Sequence, residues 1–119
     1  MNSKIKEFLK DSKNPLYCNL NRDGDICLVT VSVPGVAKGD VDVRVFKDGG
    51  SYLLAGKVVK VSGKDSGVEE GDVFAVNINN EKYDVEKISA VQENGLLVIS
   101  IPEISEPEIK IEVKGGGKQ

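Results

Sequence analysis

The chain has 119 residues, 39% hydrophobic and 29% charged, with a formal net charge of −3 and no histidine. That length holds one core, and the composition is that of a soluble globular chain rather than a disordered one. The mildly acidic balance, without a Lys/Arg cluster beyond isolated pairs, argues against nucleic acid or an anionic membrane as partner, and no apolar run reaches the length of a membrane span.

Residues 1–14 read as a short arm, with Ile5, Phe8 and Leu9 on one side of a helical turn or two. Alone it is too short for a stable helix, so it is either a docked terminus or a small sticky segment for assembly or client capture. It has no long apolar stretch before a small-residue cleavage site, so a signal peptide is not expected and the expected setting is cytoplasmic.

Pro15 opens a β region. Strand-like runs fall at residues 16–21, 26–33, 41–46, 51–61, 73–78, 88–91 and 96–101, separated by turn signals at Asp23-Gly24, Pro34-Gly35, Gly39-Asp40, Asp48-Gly49-Gly50, Asn79-Asn80 and Asn94-Gly95. Cys18 shares strand parity with Leu16 and Leu20, and Cys27 with Val29 and Val31, so both cysteines read as reduced core residues. Asn19-x-Asn21-x-Asp23-Gly24 has the beginning of a calcium loop, but Thr30 stands where that loop needs a bidentate glutamate, and a turn is the better reading. Residues 62–72, SGKDSGVEEGD, are rich in glycine and charge; they predict the most mobile internal loop, with Glu69, Glu70 and Asp72 as solvated carboxylates.

The strongest local signal lies in residues 88–102, where alternating apolar runs flank Asn94-Gly95, the dipeptide favoured in two-residue hairpins. With those two residues as the loop, Val91 faces Val98, Ala90 faces Ile99 and Ile88 faces Ile101. Ile88, Ala90, Leu97, Ile99 and Ile101 then form one face, expected in the core. The opposite face mixes Ser89, Glu93 and Ser100 with Val91, Leu96 and Val98. Many short strands, polar turns and no long amphipathic helix predict an all-β, immunoglobulin-like antiparallel β-sandwich and exclude βαβ folds.

Chemistry is mostly absent from the sequence. Without histidine there are no imidazole metal sites or His-based triads, two cysteines cannot build a four-thiolate site, and no P-loop or dinucleotide fingerprint occurs. The expectation is a protein that is not an enzyme and uses no cofactor and no metal. The tail after Pro102 alternates cleanly, with Ile109, Ile111 and Val113 on one side and Lys110, Glu112 and Lys114 on the other. Periodicity alone fits either a last strand of its own sandwich or an extended segment that pairs elsewhere.

Three ordered blocks carry a family resemblance. Ala90-x-x-x-Asn94-Gly95-x-Leu97 with its following strand to Pro102, the run from Val31 through Pro34-Gly35-Val36 to Asp40 and Val43, and Leu53-Leu54-Ala55-Gly56-Lys57 together resemble the α-crystallin, or small heat-shock protein, family over residues 16–113. The resemblance implies an arm at 1–14, an α-crystallin-like domain at 15–102 and an extension at 103–119. It further implies an ATP-independent holdase for partly unfolded client proteins, forming homo-oligomers of at least a dimer. It places the strand of Val41, Val43 and Val45 beside that of Ile88 and Ala90 to form a groove for clients or tails, and makes Ile109, Ile111 and Val113 an I-x-I/V anchor added as a strand to a neighbour's sheet edge. Against that, the valines could simply fill the sandwich. Departures are Phe74-Ala75-Val76-Asn77 in place of a strand arginine, Glu103 after Pro102, and a shortened 62–72 link. Two other readings stay open: an adaptor or co-chaperone module like the CS-domain relatives, and an accessory sandwich of a larger particle.

Overall fold

A computed structural model describes residues 2–64, 66–105 and 109–116. A short helix, α1 (Ser3–Phe8), precedes seven strands: β1 (Cys18–Asp23), β2 (Ile26–Ser32), β3 (Val41–Asp48), β4 (Ser51–Val58), β5 (Val73–Ile78), β6 (Ser89–Glu93) and β7 (Leu96–Pro102). They form two antiparallel sheets, in the orders β1-β2-β7-β6 and β3-β4-β5. This is the expected sandwich, and the β6–β7 register pairs Val91 with Val98 and Ala90 with Ile99 as the Asn-Gly turn predicts. Asn94 and Gly95 both have positive φ, 50° and 77°, which the tight hairpin requires.

The inward faces make the core. Val29 and Val31 of β2, Leu97, Ile99 and Ile101 of β7, and Leu54 and Val58 of β4 pack with Phe74 and Ile78 of β5. The Phe74 ring lies so close over Gly56 that a Cβ there would sit 2.1 Å from it, which explains a glycine in mid-strand.

The two sheets are stacked so that β1 and β5 share one flank. A parallel bridge joins Pro15 to Val73, with Leu16 N–H donating to Val73 O at 2.7 Å and Val73 N–H to Asn14 O at 3.0 Å. The other pair of edges, β6 and β3, therefore lies on the opposite flank.

Several expectations are corrected. Ile88 does not face Ile101 in the ladder: it ends a 3₁₀ turn (Val85–Lys87), and pairing begins one residue later, at Ser89 with Ser100. Ala90 has core parity yet is exposed, because it sits on the edge strand β6 with nothing laid over it. Leu20 is likewise exposed on the other edge, β1. β4 ends at Val58, short of residue 61. The arm is no free sticky segment. Ile5 and Phe8 are buried against Leu53 and Ala55 on the outer face of β4, with Leu9 and Phe46 packed around them.

Asp72 is not a solvated carboxylate; it is 3% exposed and accepts from Asn14 N–H at 3.0 Å and Glu69 N–H at 2.8 Å. It ties the end of the 62–72 segment to the arm. The start of that segment is held as well, since Ser62 N–H and Gly63 N–H both donate to Gly35 O at 2.8 Å. Among the described residues this segment contains no strand.

Cys18 and Cys27 are free and half-buried against the core, four ladder positions apart, since Cys18 pairs with Val31 and Arg22 with Cys27. The tail does not add an eighth strand to its own sheets. Residues 109–115 have no strand pairing, and Ile109, Ile111 and Val113 are 77%, 74% and 89% exposed.

Candidate functional site

The flank bounded by β3 and β6 holds the five residues that the sequence singled out for a groove. In β3, Val41, Val43 and Val45 pair with Val58, Gly56 and Leu54, so their side chains point toward the core side. Val41 and Val43 are half-buried against the core and Val45 is exposed. In β6, Ala90 is exposed and sits opposite the fully buried Ile99, while Ile88 just before the strand is half-buried against the core. The result is a candidate cleft along two sheet edges, with apolar side chains half-buried at Val41, Val43 and Ile88 and exposed at Val45 and Ala90.

Backbone geometry gives the rim a second property. Two-residue hairpins place a hydrogen-bonded pair next to the loop, here Asp48 with Ser51 and Glu93 with Leu96, and bonded pairs then alternate with unbonded ones. Along β3 the even-numbered residues therefore bond to β4, and Val41, Val43 and Val45 turn their N–H and C=O groups to the open edge. Val59 N–H donating to Asp40 O and Asn2 Nδ2 donating to Lys47 O at 2.6 Å both fit that parity. On β6, Ala90 and Gln92 do the same. Apolar side chains and unpaired backbone groups thus belong to the same residues, which is the chemistry needed to add an extended segment.

Two charges of β3, Asp42 and Arg44, are kept out of the cleft. Arg44 donates from Nε to Asp42 Oδ1 at 3.1 Å and from its terminal nitrogen to Asp42 Oδ2 at 2.8 Å, and its guanidinium lies 5.0 Å from the centre of the Phe8 ring. Both residues are on the outer face, beside α1. Lys57 on that face donates to Lys10 O at 2.6 Å and so holds the chain just beyond the helix.

One end of the cleft is closed by the connection from β2 to β3. Val33 N–H donates to Gly95 O at 2.7 Å, Gly95 lies against Pro34, and Gln92 Nε2 donates to Val36 O at 2.9 Å. Gln92 was not singled out from sequence, although its position two residues beyond Ala90 places it on the same strand face. At the other end the chain leaves the body: Glu103 bridges to Tyr83 and pairs with Arg22, and Ile104 N–H donates to Lys82 O at 2.9 Å. The residues of the expected anchor, Ile109, Ile111 and Val113, are not brought to this cleft within the chain.

No constellation of three or more metal-ligating side chains occurs among the described residues. No helix among them is long and apolar enough to cross a membrane. Burial raises the Cys18 thiol above the ordinary cysteine value.

No protein-family model and no curated protein sequence matches the chain. Solved structures do. Heat shock protein 16.0 from Schizosaccharomyces pombe is 28% identical, with 86% of this chain and all of that one covered and a TM-score of 0.51. A small heat-shock protein from Xylella fastidiosa is 20% identical over 84% of this chain and 96% of its own, with a TM-score of 0.54. HSP18.5 from E. histolytica is 16% identical over 85% of this chain and all of its own, with a TM-score of 0.53.

Proposed function

Because the chain has the α-crystallin domain of the small heat-shock proteins, we propose that it acts as an ATP-independent holdase, without enzymatic activity, in the cytoplasm. It shields apolar segments of partly unfolded proteins and assembles with copies of itself through its tail. The observation that carries this reading is the cleft of Val41, Val43, Val45, Ile88 and Ala90, left uncovered by a tail whose Ile109, Ile111 and Val113 stand in solvent. Both surfaces want the same kind of partner: an extended edge with apolar side chains every second residue.

The strength of such a contact suits reversible capture. Two isoleucines removed from water give about 2–3 kcal/mol each before the costs of ordering and association are subtracted. The test is light scattering from a heat-labile client, with the full chain and with a chain lacking residues 109–119. Suppression of aggregation is expected from the full chain, together with a native mass of a dimer or larger that falls on tail deletion. No suppression by the full chain removes the chaperone reading.

The docked arm favours a second reading, since it leaves less apolar surface free for assembly. A monomer whose mass and behaviour ignore the tail would make the protein an adaptor module rather than a holdase.

A further inference from the structure

We propose that Gln92 is the stop that limits the cleft to two apolar side chains and so sets the register of the tail of a second copy docked in it. The inference rests on the cleft being a tail-binding groove and adds what that reading leaves open: how much of the tail is held, and where it halts.

β6 offers the cleft one position in two. Ala90 is apolar, as is Ile88, the extended residue just before the strand, and the next such position is Gln92. Its amide is committed, donating to the carbonyl of Val36, a buried residue on the connection that walls off this end. That wall is held from both sides, by Val33 N–H on Gly95 O and by Ser62 and Gly63 N–H on Gly35 O. Successive same-face residues of a strand are about 6.6–6.8 Å apart. The tail presents three apolar residues at that spacing, Ile109, Ile111 and Val113, and only two have an apolar counterpart on this side, Ile88 just before β6 and Ala90 within it. A third would have to pull the Gln92 amide from Val36 O, giving up a part-buried hydrogen bond and setting a polar amide against an apolar side chain, and that loss offsets what one more contact returns. Ala90, small and uncovered beside Ile99, supplies the space for one of the two that enter.

The occupant follows from the same spacing. From Ile109 to Val113 the tail matches the cleft in period, exposes its apolar side and lies in no strand ladder.

The test uses the full-length chain with Ile109, Ile111 and Val113 changed to serine, so that its own tail is silent, titrated with a fluorescent peptide of residues 107–116. Against Gln92, one of the two outer peptide substitutions, Ile109→Ser or Val113→Ser, is expected to weaken binding less than twofold, while the other and Ile111→Ser each weaken it at least tenfold. In Gln92→Ala the silent position gains weight, costing fivefold or more. Gln92→Asn, too short to reach Val36, gives the same profile should the alanine variant loosen the hairpin. Equal losses at all three positions against Gln92, or an unchanged profile in both variants, overturns the stop while the groove stands. A scrambled peptide binding as tightly as the native one overturns the tail as occupant. Absence of binding, or binding that survives Val43→Glu, overturns both the stop and the groove.

Discussion

The two ends of the chain carry apolar segments of similar size and opposite fate. Ile5 and Phe8 sit three residues apart on a helix and are buried against Leu53 and Ala55 of their own domain. Ile109, Ile111 and Val113 sit two apart on an extended segment and stay in solvent. A helix satisfies its backbone internally and needs only an apolar face to lie on, which the outside of β4 provides. Here Asn2 caps it, accepting from Ile5 N–H, and also donates to Lys47 O. An extended segment has no internal bonds and needs a free sheet edge, so its partner is another strand. The first segment contributes to the fold; the second stays exposed, as the proposed tail contact requires.

That contrast is open to mutation. Phe8→Ala should cost the most, about 3 kcal/mol in urea unfolding, because it empties the center of the small cluster under α1; an unchanged midpoint would show the arm undocked in solution. Asp72→Ala should follow at about 2 kcal/mol, since it removes the buried carboxylate that accepts from Asn14 and Glu69 N–H and anchors the arm. Asn2→Ala should cost about 1 kcal/mol through the lost cap.

Burial keeps the Cys18 thiol protonated to higher pH than an ordinary cysteine, so alkylation at pH 8 should be slower in the native protein than in urea. The sign of the linkage follows. The folded state holds the proton more tightly, so this contribution is intact below the unfolded thiol's pKa of about 8.5 and is lost as pH climbs beyond it. Serine at Ile109, Ile111 and Val113 together should change unfolding by less than about 0.5 kcal/mol while lowering the native mass. A large loss of stability there would mean that the tail packs on its own domain after all.

Much of the architecture was legible because strand period and turn chemistry are local. Asn94-Gly95 gave the hairpin register from Val91 to Val98, and the alternation of Val41, Val43 and Val45 gave the face they present. What failed were statements about cover. Ala90 and Leu20 have the parity of core residues and lie exposed, because parity says which way a side chain points and nothing about what stands over it. Asp72 looked like loop charge and is a buried tie, a role created by the arm passing beside it. Gln92 looked like an ordinary polar strand residue until the β2–β3 connection brought Val36 against it.

Side-chain spacing along one backbone therefore settles strands, faces and the tail's period, since each depends on neighbours a few residues away. Which edges stay open, which apolar segment finds a seat at home and where the cleft ends depend on contacts between residues dozens of positions apart. Those are set when the sheets stack and the connections cross between them, and no local pattern encodes them.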